Sequence, residues 1–199
     1  MRSVKLTAVI RRKRKRYIHS TPQITAENIL NRRFVADNPN EKWLTDVTEF
    51  KLTNGSKAYL SAILDLGDNS IISYVLGHSN NNKLVFDTLD KAIEANPTAN
   101  PLFHSDRGFQ YTSKTFKNKL NKIKAIQSMS RVGRCIDNGP MEAFWGTLKV
   151  EMYYLRKFDT FQQLEQAIEE YIKFYNTKRL QKKLKGMAPI EYRSQTLVA

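Results

Sequence analysis

The fold of this chain is decided by the stretch Pro101-Leu102-Phe103-His104-Ser105-Asp106-Arg107-Gly108-Phe109-Gln110-Tyr111. A short apolar run after a proline predicts a buried strand, and the strand delivers an acid directly into a glycine-containing turn. Open α/β sheets hold their ligands beyond the carboxyl ends of their strands. The sequence therefore places Asp106 in a functional site.

Two further acids can be placed from local sequence. Asp46 lies within the predicted strand that begins at Trp43, and Glu142 follows the helix-starting run 137–140. Carboxylate oxygens from separate elements suit Mg²⁺ or Mn²⁺, and two such ions about 4 Å apart serve in-line phosphoryl transfer. Asp46, Asp106 and Glu142 are therefore candidate metal ligands and catalytic residues.

Composition indicates the class of partner. Lys and Arg number 33 against 19 Asp and Glu, which gives a net charge of +14 and favours a polyanion such as nucleic acid. The single cysteine excludes an internal disulfide and the three histidines show no zinc-finger spacing, as suits a reducing cytoplasm. No stretch approaches the roughly 18 apolar residues of a membrane span, so no membrane partner is expected.

Basic segments lie at both ends of the chain and beside Glu142. Residues 1–16 hold eight Lys or Arg and no acid, and they form either a phosphate-contacting arm or a solvated leader. Residues 178–185 either follow DNA or keep the chain soluble. Lys149, two helical turns after Glu142, either meets a phosphate or is solvated. The candidate DNA contacts are Arg12, Arg14, Lys149, Lys178, Arg179, Lys182 and Lys183.

The predicted element order is βββαβαβ followed by helices, which is an α/β fold. Strands are predicted over 43–52, 58–66, 71–76, 102–105 and 125–129, and helices over 81–95, after Thr112 or Ser113, after Pro140 and over 160–176. Asn54-Gly55 favours a type I′ hairpin turn between the first two strands. We expect a basic arm or linker over 1–42, a core over 43–177 and a basic, polar tail over 178–199.

Several polar residues have structural interpretations beside functional ones. Asp65 and Asp68 lie at a turn, where Asp bonds the local backbone, and Asp137 is more typical of a helix cap than of a ligand. His104 points to the same sheet face as Asp106 in a regular strand. It either steers water or phosphate, or it is a hydrogen-bonded core histidine.

Taken together, these motifs resemble the catalytic core of the DDE transposases of the IS3 insertion-sequence group, close to the IS150-like branch, and more distantly retroviral integrase. The resemblance spans about residues 25–195. The motifs that carry it are Trp43-Leu44-Thr45-Asp46-Val47-Thr48, His104-Ser105-Asp106-Arg107-Gly108-Phe109-Gln110-Tyr111, Asp137-Asn138-Gly139-Pro140-Met141-Glu142-Ala143-Phe144-Trp145, and Tyr175-Asn176 with Arg179 and Pro189.

The resemblance implies an RNase H-like fold with a mixed five-stranded sheet flanked by helices. It also implies that Asp46, Asp106 and Glu142 bind two Mg²⁺ or Mn²⁺ ions. Water would cleave at an element end, and the freed 3′-hydroxyl would attack target DNA. DNA is then both donor and target, and the expected acting form is a homo-oligomer on DNA in a bacterial cytoplasm, associated with the nucleoid.

The front of the chain differs from that family pattern. Relatives carry helix-turn-helix segments before the core, and residues 1–42 are too few to hold them, so they resemble a remnant of that region. The resemblance then implies an upstream helix-turn-helix partner protein. Two alternatives stay open: a catalytically idle DNA-binding remnant of such an element, and a stand-alone RNase H-like nuclease that hydrolyses without joining.

Overall fold

The structure, a computed structural model, describes residues 25–198. The elements are β1 Lys42–Lys51, β2 Lys57–Asp65, β3 Ile71–Gly77, α1 Asn82–Ala95, β4 Leu102–Ser105, α2 Lys114–Lys122, β5 Ile126–Met129, α3 Gly139–Glu151, α4 Phe161–Thr177 and α5 Pro189–Val198. The predicted order βββαβαβ is confirmed. Arg12 and Arg14 lie outside the described residues.

One mixed sheet runs in the order β3-β2-β1-β4-β5. The first three strands are antiparallel neighbours, whereas β4 runs parallel to β1 and β5 runs parallel to β4. Leu44 of β1 is in register with His104 of β4. Asp46 and Asp106 each lie two residues beyond that pair, so the register brings the two acids to neighbouring points of the sheet.

Apolar side chains cover both faces of the sheet. Trp43 belongs to the core beneath α1 and α2, while the next residue, Leu44, belongs to the core beneath α3 and α4. Successive strand residues point to opposite faces, and a strand buried on both faces reads as a continuous apolar run. Layers of helices on both faces leave the strand ends as the place where polar groups can meet.

The hairpin between β1 and β2 differs from the predicted type I′ turn. A type I′ turn requires positive φ at both central residues, but Gly55 (φ 81°) has positive φ and Asn54 does not. Leu52 donates its N–H to Ser56 O at 2.9 Å, which closes a three-residue loop. Asn54 Oδ1 accepts the Ser56 N–H at 2.9 Å, so a side-chain bond stabilises the longer loop and the type I′ prediction is wrong.

The chain packs against the sheet before residue 43, where the sequence analysis begins the core. Leu30 is only 1% exposed, and its N–H donates to Ser128 Oγ at 3.0 Å. Glu27 O accepts the N–H of Met129 at 3.2 Å. Residues 26–34, which we call the strap, therefore run along the end of β5.

The polar tail of the sequence analysis contains a helix, α5. Its Arg193 donates from Nη2 to Asp65 Oδ2 at 2.6 Å and from Nε to Asp68 Oδ2. The same two acids also bond the local backbone, as expected: Asp65 Oδ1 accepts the Gly67 N–H at 2.9 Å, and Asp68 Oδ1 accepts the Ser70 N–H at 2.8 Å. A buried ion-pair cluster therefore fastens the end of the chain to the β2–β3 turn.

Candidate active site

The three acids singled out in the sequence line one cavity. Its volume is about 560 Å³. The other lining residues are Arg107, Gly108, Ser130, Arg131, Val132, Gly133, Arg134 and Asn138. Asp46 comes from the middle of β1, Asp106 from the residue after β4, and Glu142 from the first turn of α3. The fold thus brings the three predicted carboxylates together.

Asp46 is oriented by the helix that carries Glu142. Trp145 follows Glu142 by three residues, so the two side chains lie on one side of α3. The indole Nε1 of Trp145 donates to Asp46 Oδ2 at 3.1 Å. Trp145 is buried in the core, and through this bond it also orients a carboxylate of the site.

Asp106 is held by the turn that follows it. Its Oδ1 accepts the N–H of Gly108 at 2.8 Å. A Cβ atom at position 108 would lie 3.0 Å from that same oxygen and 2.9 Å from Gln110 Oε1. Glycine at 108 therefore allows the backbone to approach the carboxylate closely.

The carboxylates lie where their negative charge is costly. Burial, with smaller contributions from the negative charges of Asp106 and Glu142, raises the pKa of Asp46 to about 6, and the hydrogen bonds from Val47 N–H and Trp145 offset this rise only in part. Burial also raises the pKa of Asp106, which the bond from Gly108 offsets only in part. A cation bound between these groups would relieve the cost.

The three acids offer a donor set of carboxylate oxygens. Within residues 25–198, no group of three or more His, Cys, Asp or Glu side chains is arranged so that it could hold a metal ion as it stands. The chemistry of the cavity nevertheless fits Mg²⁺ or Mn²⁺, because all three acids offer oxygen atoms and two of them have a raised pKa.

Comparison with known proteins places this chain in a family. Two models described as "Integrase core domain" match residues 36–135 and 142–197, and these ranges contain all three acids. A protein of Escherichia coli (strain K12) named as a transposase, InsK, for insertion sequence element IS150 is 46% identical over 197 residues, which cover 98% of this chain and 69% of that protein. A transposase-like protein of Haemophilus influenzae is 48% identical over 172 residues, which cover 86% of this chain and 79% of that protein.

The chain belongs to the integrase-core transposases. It is the catalytic core of an insertion-sequence transposase, and the resemblance to the IS3 group near IS150 is confirmed.

Solved structures agree on the fold of this transposase core. The HTLV-2 integrase catalytic core domain in complex with magnesium (trimeric form) matches with a TM-score of 0.60 at 18% identity, over 78% of this chain and 97% of that one. A chain of the simian T-cell lymphotropic virus intasome matches with a TM-score of 0.63 at 19% identity, over 82% of this chain and 56% of that one. The predicted RNase H-like fold is confirmed.

His104 of the transposase core is a hydrogen-bonded core histidine. It is fully buried, with Nδ1 at 2.9 Å from Ser128 Oγ and Nε2 at 3.1 Å from Ser130 Oγ. Burial lowers the pKa of His104 to about 4, so the ring is neutral near pH 7. Of the two interpretations of this residue, the structure supports the packing one.

Asp137 does not cap α3, so that prediction is wrong. The residue before α3 is Asn138, and it makes no side-chain cap bond. Asp137 is buried and instead accepts hydrogen bonds from Arg131 and Arg32, which hold the pKa of its carboxyl far below the usual range. Local sequence suggested a cap because Asp is common there, but long-range pairing determines its conformation.

The candidate DNA contacts within the described residues lie outside the cavity lining. Lys149 is half-buried, with Nζ 5.5 Å from the ring centroid of Phe50, and burial lowers its pKa. Arg179 forms a bidentate pair with Glu151, with Nη2 2.7 Å from Oε1. The exposed candidates are Lys178, Lys182 and Lys183.

Three basic residues that the sequence analysis missed line the cavity. They are Arg107, Arg131 and Arg134. Arg107 is anchored by its Nε bond to Ser130 O at 2.9 Å. Their positions in the sequence could have indicated this role. Arg107 immediately follows Asp106, and Arg131 and Arg134 come just before the 137–140 run.

Without metal, Asp46→Asn is expected to stabilise the core by up to about 3 kcal/mol at pH 7.5. The pKa of Asp46 is about 6 in the folded protein and about 3.9 when unfolded, so folding opposes its ionisation. The gain is complete above pH 6 and disappears as the pH falls towards 4. Urea unfolding of both proteins across this range measures it, and a variant less stable than wild type at pH 7.5 would contradict the assignment of a costly buried charge.

Proposed function

We propose that this core cleaves DNA at the ends of its insertion sequence and transfers the freed 3′-hydroxyl to target DNA. Asp46, Asp106 and Glu142 would be the catalytic residues and would hold two Mg²⁺ or Mn²⁺ ions. When bound, such ions polarise phosphoryl oxygens and lower the pKa of an attacking hydroxyl. The observation that carries the proposal is the meeting of three carboxylates from separate elements in one cavity, with the pKa of two of them raised.

The chain's own residues supply orientation and charge around that cavity. Trp145 fixes the carboxylate plane of Asp46 through its indole N–H, and the Gly108 N–H fixes Asp106. Arg107 and Arg134 line the same cavity and are suited to contact phosphate oxygens. The site therefore combines carboxylates for cations with guanidinium groups for DNA.

The proposed reaction hydrolyses one phosphodiester and then exchanges a second one for a new phosphodiester. In cleavage, water supplies the oxygen that bonds to phosphorus, the bond from phosphorus to the 3′ oxygen breaks, and the 3′ oxygen takes up a proton. In transfer, the resulting 3′-hydroxyl bonds to a target phosphorus and a target 3′-hydroxyl leaves. Cleavage leaves a 5′-phosphate and consumes water, and transfer breaks one phosphodiester as it forms another, so neither step requires a nucleotide cofactor.

A strand-joining assay tests the proposal. The donor is a pre-cleaved duplex with a free 3′-hydroxyl, carrying the inverted repeat that flanks the reading frame, and the target is a supercoiled plasmid. With Mg²⁺ we expect covalently joined products. Hydrolysis without joining would favour the stand-alone nuclease, and binding without products would favour the idle remnant.

The partners and division of the chain are inferred from the same reaction. Two element ends must be processed together, which favours a homo-oligomer on DNA, and an upstream helix-turn-helix protein would read the terminal repeats. The segment before the strap would then link to that reader, the strap and α5 would belong to the core predicted over 43–177, and the basic run 178–185 would add positive charge. Within the described part of the chain, no helix has both the length and the hydrophobicity to cross a membrane.

Removing residues 1–16 is expected to flatten the dependence of DNA affinity on salt. Each phosphate neutralised by Lys or Arg releases counterions and contributes about −0.9 to the slope of log affinity against log salt. The triple variant Lys178→Gln, Lys182→Gln and Lys183→Gln tests the other basic segment in the same titration. An unchanged slope in either protein would show that its basic segment does not contact phosphate.

A further inference from the structure

A buried carboxylate outside the proposed metal ligands joins the strap to the loop before α3. Asp137 accepts hydrogen bonds from Arg131 Nε at 2.8 Å, from Arg131 Nη2 at 2.8 Å and from the Arg131 N–H at 3.1 Å. From the strap, Arg32 Nε donates at 2.7 Å and Asn28 Nδ2 donates at 2.9 Å. The side chain of Asp137 is 0% exposed, whereas that of Arg32 is 41% exposed.

The loop fixed by Asp137 borders the cavity. Arg131 and Asn138 both line it, and Asn138 Nδ2 donates to Thr45 O at 3.0 Å, directly beside Asp46. Asn138 is 5% exposed, and its Oδ1 has no hydrogen-bond partner among the described residues. Glu142 follows five residues after Asp137, so the cluster lies where the chain turns into the catalytic helix.

The start of α3 lacks the local bonds that normally fix a helix end. Neither the 3₁₀ turn Cys135–Asn138 nor α3 has a side-chain cap hydrogen bond. First-turn N–H groups of a helix usually receive such a partner. Tertiary contacts therefore determine where α3 begins, and the bonds to Asp137 are the charged ones among them.

The strap is itself fixed to the core. Leu30 is buried, and its N–H donates to Ser128 Oγ, which also lies 2.9 Å from His104 Nδ1. A Cβ atom on Gly139 would lie 3.8 Å from Phe34 Cε2, so the strap also reaches the first residue of α3. The strap thus contacts both sides of the loop that leads to Glu142.

We propose that Asp137 and Arg32 are positioning residues through which the strap holds Glu142 at the cavity. The inference rests on the proposed function, since it assigns Glu142 a metal-binding role. A substitution that removes the bonds between the strap and Asp137 would free the 131–138 loop on one side. The first turn of α3 could then shift. Any segment attached before the strap is therefore mechanically linked to the catalytic helix.

The test compares Arg32→Ala with two matched controls. Arg33→Ala removes the same charge from a neighbouring exposed strap residue whose side chain makes no ion pair with a described residue. Arg193→Lys weakens another buried arginine–aspartate cluster, at Asp65, which is in register with Trp43 and so lies away from Asp46 on β1. Both controls leave the Asp137 cluster intact.

Two measurements are made on each full-length protein. Calorimetry with Mn²⁺ is expected to show about tenfold weaker binding for Arg32→Ala, in the range found when a partner that orients a metal ligand is lost, and unchanged binding for both controls. Hydrogen exchange without metal is expected to be at least several-fold faster at residues 139–142 in Arg32→Ala alone. Arg32→Lys, which can still donate to Asp137 Oδ1, should recover part of both effects.

Each outcome separates the inference from the proposed function. If Arg32→Ala matches Arg33→Ala in exchange at residues 139–142, the positioning role is overturned. If exchange there rises but wild-type protein binds no Mn²⁺, the strap does fix α3 and the proposed metal site fails. Asn28→Ala, which removes the neutral donor to Asp137, gives a second variant should Arg32→Ala not fold.

Discussion

Asp46→Asn, Asp106→Asn and Glu142→Gln are each expected to reduce Mg²⁺-dependent strand joining about a thousandfold or more. Metal assistance supplies several kcal/mol of stabilisation to a phosphoryl-transfer transition state, and each 1.36 kcal/mol is a factor of ten in rate. The amides keep the shape of the side chains, so packing and DNA binding should persist. Joining and cleavage of labelled donor DNA measure the effect.

Asp87→Asn provides the matched control for these variants. Asp87 is an acid of α1 whose side chain pairs with Lys83 at the surface, and a surface pair of this kind contributes little to stability. It should join DNA at the wild-type rate. A carboxylate variant within tenfold of wild type, with its fold intact, would remove that residue from the catalytic site.

The places of Asp106 and Glu142 in the fold could be predicted because the residues beside each acid indicate a strand end or a helix start. Asp106 follows an apolar run that ends in a glycine turn, and parallel pairing of β4 with β1 then sets it near Asp46. Glu142 follows a helix-starting run that contains Pro140, so a helix start near it could be predicted locally, although tertiary contacts rather than side-chain caps fix that start. Local periodicity and turn chemistry therefore predicted the elements that build the site.

Long-range pairing could not be predicted in the same way. Asp137 resembles a helix cap in local sequence, yet its partner Arg32 is 105 residues away. Asn54-Gly55 resembles a type I′ turn, yet side-chain bonding by Asn54 favours a longer loop. The pairing of Asp137 depends on which segments the folded sheet brings together, which local sequence does not reveal, whereas the Asn54 bond is local and competes with the type I′ turn.

Helix α5 was missed for a related reason. Its sequence from Pro189 has no strong apolar stripe, and its attachment depends on Arg193 meeting Asp65, 128 residues away. The acids at the β2–β3 turn were correctly given a structural role, but their cationic partner lies beyond the predicted core. The end of the chain is therefore part of the folded unit and contributes to its stability.

Arg193→Met is expected to lower the free energy of unfolding by about 3–5 kcal/mol at pH 7.5. Removing one partner of a buried ion pair leaves uncompensated charge in a poorly hydrated site. Asp65 and Asp68 are both fully buried. Even beside Arg193, burial and the charge of Asp68 raise the pKa of Asp65 to about 6, so the cost without the arginine would be larger.

The dependence of this loss on pH follows from the same charges. Without Arg193, the pKa of Asp65 should rise further above the unfolded value of about 3.9. The deficit of the variant is then largest above that raised pKa and shrinks as the pH falls towards 4, because protonation removes the unpaired charge. Urea unfolding at pH 7.5 and pH 5 measures both effects. Adding Asp65→Asn and Asp68→Asn to Arg193→Met should recover much of the loss, since the amides carry no charge. A deficit of the Arg193→Met variant below about 1 kcal/mol at pH 7.5 would contradict the prediction. It would show that water already compensates the charges of the two acids.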